Sequence, residues 1–178
     1  MKHFLDIDGW FDNAGVNTYR HFIKQVPTGG IIVECGAKFG RSSAFLCDEA
    51  DSSHSIYIID LWFDNKVRED FYLKFKDNMQ GRDYKPLRGD ATDLSTQFDD
   101  NSIDLVIIDM GHTYKAVKND IRVWLPKVKV GGAIIGDDYI SGWPGVIRAV
   151  DEFLPHRVIF ENRYWTHIKK FSNKKPII

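Results

Sequence analysis

The chain has 178 residues, of which 43% are hydrophobic and 28% charged. That is the size and balance of one globular domain and lies outside the range of disordered chains. The 24 Lys and Arg nearly cancel the 25 Asp and Glu, so the net charge of −1 offers no basic surface for wrapping a nucleic acid. No apolar run approaches the ~20 residues of a membrane helix, and acidic residues stand where a signal peptide has its apolar stretch. Cys35 and Cys47 lack the spacing of a metal clip or redox pair, so free thiols and a cytoplasmic location are expected.

Residues 1–28 read as an N-terminal helical extension, with a short amphipathic helix over 14–25 ended by Pro27 and Gly29-Gly30. From 29 to 153, short apolar runs alternate with helical patterns. A strand is predicted at Ile31–Cys35, followed by a helix over Ser42–Ala50 that a hydroxyl could cap. Next come a strand at Ser55–Ile59 and a helix over Lys66–Asn78, with Val67, Phe71 and Phe75 at four-residue steps. Strands at Lys85–Arg88 and Ile103–Ile108 follow. The helix over Tyr114–Leu125 sets Val117, Ile121 and Trp124 or Leu125 on one face and stops at Pro126. A strand at Gly132–Gly136 precedes a helix over Trp143–Leu154, which has Pro144 near its first turn.

Residues 154–178 differ. Arg157–Glu161 and Tyr164–Phe171 flank Asn162-Arg163 and read as an antiparallel hairpin. Lys169, Lys170, Lys174 and Lys175 read as a solvated terminus. Ile31-Ile32-Val33 and Leu105-Val106-Ile107-Ile108 are apolar at successive positions, as in strands covered on both faces. Alternating strand and helix then imply an α/β, doubly wound, mostly parallel sheet. Residues 1–178 are expected to form one domain.

The strongest local signal is the strand–loop–helix Ile31-Ile32-Val33-Glu34-Cys35-Gly36-Ala37-Lys38-Phe39-Gly40-Arg41-Ser42-Ser43. In open α/β sheets ligands bind beyond the carboxyl ends of the strands, where this loop sits. Gly36 lets the chain turn and approach a ligand closely. The spacing is G-x-x-x-G, not the G-x-G-x-x-G of dinucleotide folds, which counts against a nucleotide-binding oxidoreductase. The next strand ends in Asp60, 26 residues after Glu34, where a carboxylate suits a ribose diol. Asp90 either faces the base of the same nucleoside or caps the helix behind it.

Asp109 ends the fourth strand, and Asp137 and Asp138 end the fifth. Carboxylates crowded together repel unless a cation joins them or a proton is shared, and an oxygen donor set suits Mg²⁺, Mn²⁺ or Ca²⁺. His112 follows Asp109 by three residues, and its ordinary pKa of ~6.5 suits a general base at neutral pH. Trp62, Tyr139 and Trp143 either supply flat surfaces near the pocket or pack the core.

These residues resemble a known family. The E-x-G-x-x-x-G-x-S loop, Asp60 followed by Trp62, and Gly89-Asp90 resemble class I S-adenosylmethionine-dependent methyltransferases. Asp109-x-Gly-His112-x-Tyr114 with Asp120, then Gly131-Gly132 and Asp137-Asp138-Tyr139, is similar to the small-molecule group of macrocin and catechol O-methyltransferase-like enzymes. The resemblance spans about residues 29–153. It implies a Rossmann-like seven-stranded sheet whose last strand is antiparallel, and S-adenosylmethionine as cofactor. It places Glu34, Gly36, Ala37, Gly40 and Ser42 on the methionine side, Asp60, Leu61 and Trp62 at the ribose, Asp90 and Ala91 near the adenine, and Asp109 beside the cofactor. Asp109, Asp137 and Asp138 match a divalent-metal site holding Mg²⁺ or Mn²⁺, and Asp109 and His112 match positions beside the transferred methyl. The expected partner is a small-molecule acceptor, a sugar or an aromatic, with no nucleic acid and no membrane. A homodimer is compatible with the chain, and a non-catalytic S-adenosylmethionine-binding protein is the alternative within the family. The chain departs from the pattern at Lys38, where many relatives carry Gly, and at Asp138, where catechol enzymes carry Asn.

Overall fold

A computed structural model describes residues 1–62 and 66–171, with only the backbone at residues 66 and 67. The apolar runs become strands β1 (Ile31–Cys35), β2 (Ser55–Asp60), β3 (Lys85–Arg88), β4 (Ile103–Ile108) and β5 (Val128–Gly136), then β6 (Val158–Phe160) and β7 (Tyr164–Ile168). They form one seven-stranded sheet in the order β3-β2-β1-β4-β5-β7-β6. The first five strands pair in parallel, and β7 runs antiparallel to both β5 and β6. The sheet is therefore the Rossmann-like, mostly parallel one expected, with the C-terminal hairpin on its edge.

The helices are α1 (Asn13–Ile23), α2 (Arg41–Glu49), α3 (Lys66–Asn78), α4 (Ala91–Leu94), α5 (Tyr114–Trp124) and α6 (Pro144–Phe153). Alternate strand residues face opposite sides, as the period of two requires. Ile32, Leu105 and Ile107 pack with Tyr19, Phe45 and Phe75 of α1, α2 and α3. Val33, Cys35, Val106 and Ile108 pack with Ile121 and Trp124 of α5 and Val150 of α6. Burial on both faces is why these strands carry no polar–apolar alternation. The chain leaves β1 for β2 and β3 on one side and returns to β4 on the other. A crevice opens at that switch point, beyond the ends of β1 and β4.

Four details differ from the sequence reading. No side chain caps α2: Gly40 is its N-cap at φ 89°, and Ser42 lies buried in its first turn. β5 starts at Val128, because Val128 pairs with Ile103 and the Gly131-Gly132 step passes within the strand at a register shift. The hairpin turns at Glu161-Asn162, both at positive φ (48° and 60°), with the Arg163 amide donating to Phe160 O. Two positive φ values in succession match the right-handed strand twist of a tight hairpin. The turn thus falls one residue earlier than predicted and moves Arg163 onto β7's entrance. Lys169 is no solvated tail residue; its ammonium donates to the carbonyls of Pro126 and Val128. Lys174, Lys175 and the side chain of Val67 lie outside the described residues.

Candidate active site

The crevice holds a cleft of about 1640 Å³ lined by Gly36, Asp60, Leu61, Trp62, Asp90, Ala91 and Asp109, among others. Ligand pockets usually measure ~300–1,000 Å³, so this one has room for two reactants. Its floor is where β1 and β4 end. The Asp109 amide donates to Cys35 O (2.8 Å) and the Gly36 amide to Ile59 O (2.8 Å). Gly36 has φ 95°, and a Cβ there would lie 1.8 Å from the Asp109 carbonyl oxygen. No other residue type fits that contact.

Asp60 organises the loop after β1. Its Oδ2 accepts the amides of Ala37 (2.9 Å) and Lys38 (2.7 Å), and its Oδ1 accepts the Leu61 amide (2.6 Å). Asp90 accepts the Thr92 amide (2.8 Å) as the N-cap of α4, so the capping reading holds while the residue also lines the cleft. Trp62 borders the cleft but is buried, its indole donating to Lys38 O (3.1 Å) and its ring 4.2 Å from Phe75. Asp120, buried on α5, also lines the cleft; burial, with the charge of Asp90 added, pushes its carboxyl up to about 7.

Glu34, Ala37, Gly40 and Ser42 do not line the cleft. Glu34 points to the α1–α2 side of the sheet, fully buried, and accepts hydrogen bonds from Tyr19 (3.3 Å) and Ser43. Burial pushes its carboxyl up to about 7, and the Ser43 hydrogen bond pulls the other way. A carboxyl raised in the folded state contributes its full stability below the unfolded value and loses it as pH rises through the folded one. Glu34 therefore makes stability fall between about pH 4.5 and 7. Glu34→Gln is expected to flatten that segment of a melting-temperature-against-pH curve. An unchanged slope would show that Glu34 is ionised throughout.

The second part of the site lies where β4 and β5 end. Asp109 is open to the cleft yet ringed by protein. That lost hydration, then the charges of Asp137 and Asp138, hold its carboxyl above the usual carboxylate range. Asp138 sits at φ 65°, a left-handed conformation that Asp tolerates better than most residues, with its carboxylate 2.7 Å from His112 Nε2. The His112 ring stacks on Trp143, centroids 4.2 Å apart. Tyr139 instead turns its hydroxyl to Asp151 (2.7 Å).

Asp137 does not join Asp109 and Asp138 as a ligand set. Arg163 grips it with two hydrogen bonds, Nε to Oδ1 at 2.6 Å and an Nη to Oδ2 at 2.5 Å. The same guanidinium lies 3.6 Å from Asp138 and 3.6 Å from Asp12. Two-point pairing of a guanidinium with a carboxylate is strong and directional, and it neutralises Asp137 within the protein. The group whose atoms do converge, within 4.8 Å of one another, is Asp109, His112 and Asp138. Sequence reasoning missed Arg163, Asp12 and Trp10, the last also lining the cleft. No local motif marks any of them.

Residues 33–139 match the family model described as methyltransferase domain, which is more than half of the chain. No curated protein matches it in sequence. Among solved structures, a protein from Corynebacterium glutamicum superposes with a TM-score of 0.70 at 11% identity, covering 96% of this chain and 87% of that one. An S-adenosylmethionine-dependent O-methyltransferase from Thermotoga maritima also reaches 0.70, at 16% identity over 94% of this chain and 69% of that one. The O-methyltransferase NovP reaches 0.63, at 16% identity over 89% and 80%. At such identities these structures speak for the fold, while the family match carries the assignment. With the glycine-floored cleft at the switch point, they lead to one conclusion: the chain belongs to the methyltransferase-domain family, within the class I S-adenosylmethionine-dependent methyltransferases.

Proposed function

We propose that this methyltransferase moves the methyl group of S-adenosylmethionine to a hydroxyl of a small molecule. The observation that carries the reading is the His112–Asp138 pair, 2.7 Å apart, beside Asp109 at the end of the cleft that Gly36 and Asp60 line. Gly36, Asp60 and Ala91 would hold the donor, Asp60 on its ribose side, and the donor would supply a sulfonium methyl group. In the transfer the sulfur–methyl bond breaks as an oxygen–methyl bond forms, and the hydroxyl proton goes to His112. Nε2–H of His112 donates to Asp138, which leaves Nδ1 as the base and stabilises the imidazolium that forms. S-adenosylhomocysteine leaves as a neutral thioether. Alignment of the two reactants in one cleft supplies much of the rate, an effect worth up to ~7–11 kcal/mol.

Asp60→Ala is expected to weaken S-adenosylhomocysteine binding by at least about tenfold, because the ribose and the loop amides of Ala37 and Lys38 lose one charged acceptor. Calorimetry checks this. Unchanged affinity, or tighter binding of NAD than of S-adenosylhomocysteine, would remove the reading.

Asp109 and Asp138, whose carboxylates converge within 4.8 Å beside His112, would offer oxygen donors to a divalent cation such as Mg²⁺ or Mn²⁺ while His112 stays the base. Such an ion would lower the pKa of an acceptor hydroxyl. Mn²⁺ binding, followed by electron paramagnetic resonance, is expected to vanish in Asp109→Asn. It should tighten in Arg163→Gln, which frees Asp137. Weaker binding in Arg163→Gln would show that the guanidinium does not compete with an ion.

A further inference from the structure

Trp10 is 80% exposed, although the segment around it is firmly seated. Ile7 on one side is 1% exposed and Phe11 on the other 8%. The Arg41 guanidinium fastens both, donating to Ile7 O (3.1 Å) and Phe11 O (2.8 Å). Two residues on, Asp12 caps α1 and lies 3.6 Å from Arg163, which grips Asp137. Trp10 is thereby held between the loop after β1 and the acidic ends of β4 and β5. The exposed ring of Trp10 forms part of the cleft wall and offers an aromatic face on which a planar group can stack.

Lys38 stands beside it. The loop holds Lys38 at φ 47°, and its ammonium lies 3.7 Å from the Trp10 ring centroid. Among the described residues no carboxylate pairs with that ammonium. Its partners there are aromatic faces, Trp10 and, at 5.1 Å, Phe39, a weaker hold on a cation than an anion offers. Both residues line the same cleft as Gly36 and Asp109, and the cleft's volume exceeds what one ligand needs.

We propose that Trp10 and Lys38 form the acceptor subsite, and that the acceptor is a planar ring bearing an anionic substituent. The ring stacks on the indole. The Lys38 ammonium swings from that face to pair with the anion, and the acceptor's hydroxyl is turned toward Asp109 and His112. The inference rests on the methyl-transfer reading above, and it adds what that reading leaves open, the chemical class of the acceptor.

The test uses the full chain saturated with S-adenosylhomocysteine and two probes measured by calorimetry. One is 3,4-dihydroxybenzoate; the other is catechol, which has the same ring and hydroxyls without the acid. The wild type is expected to bind the acid about tenfold tighter than catechol. Lys38→Met should abolish that preference while leaving catechol affinity unchanged. Trp10→Ala should weaken both probes about tenfold, and Trp10→Phe should restore most of the loss. Equal affinity of the two probes for the wild type overturns the proposal, as does failure of both to bind. So does a loss of S-adenosylhomocysteine affinity in Lys38→Met, which would assign the ammonium to the cofactor's own carboxylate. Failure of the wild type to bind S-adenosylhomocysteine at all would instead defeat the methyl-transfer reading.

Discussion

His112→Gln is expected to lower turnover by about 10²–10⁴-fold while leaving S-adenosylhomocysteine affinity nearly unchanged. Glutamine keeps a hydrogen-bonding group near Asp138 but has no lone pair basic enough to take the hydroxyl proton. The geometry argues for an oriented base: Asp138 holds Nε2 at 2.7 Å, and Trp143 stacks on the ring and limits its rotation. Asp138→Asn should cost a comparable factor, because an amide accepts the same hydrogen bond without stabilising an imidazolium. Single-turnover rates with saturating donor measure both. Wild-type turnover in the Gln variant would reduce His112 to a positioning group and leave deprotonation to the carboxylates beside it.

Gly36→Ala is expected to destabilise the fold by about 2–5 kcal/mol and to weaken S-adenosylhomocysteine binding by more than about a hundredfold. The added methyl would sit 1.8 Å from the Asp109 carbonyl, and the residue's φ of 95° lies where a Cβ is strained in any case. The ends of β1 and β4 would have to separate, and the floor of the cleft with them. Gly29→Ala is the control. Its φ is 74°, but nothing lies within 4 Å of the new methyl, so only the backbone strain of about 1–2 kcal/mol remains. Denaturant midpoints and calorimetry separate the two effects. Equal losses in both variants would mean that conformation alone, and not the β1–β4 contact, requires glycine at 36.

Much of the cleft was legible because each of its residues is placed by a strand that ends just before it. Gly36, Asp60 and Asp109 end or follow runs whose unbroken apolar character marks buried parallel strands, Asp90 follows the short exposed edge strand Lys85–Arg88, and the carboxyl ends of these parallel strands point the same way. Once the runs at Ile31–Cys35, Ser55–Asp60, Lys85–Arg88 and Ile103–Ile108 are read as one sheet, the convergence of these residues follows without coordinates. Glu34 lies outside the cleft lining by the same period-two logic. It lies two positions before Gly36 but inside the strand, and its side chain leaves on the face covered by α1 and α2.

The sequence by itself determined the alternation of strand and helix, the face-to-face burial of the sheet and the row of glycine and carboxylates along its open end. These depend on periodicity and on residues adjacent in the chain. Only the tertiary structure decided which carboxylate converges with Asp109 and His112. Asp137 and Asp138 are neighbours of nearly identical local context, yet Arg163 takes the first and His112 faces the second. That choice hangs on a hairpin turn placed at Glu161-Asn162, which brings residue 163 across 26 positions of chain to Asp137. Pairings of that range are set by register and packing between elements, and no local pattern of residues encodes them. Trp10 reaches the cleft in the same manner, through Arg41 and Asp12, along a segment with no regular structure of its own.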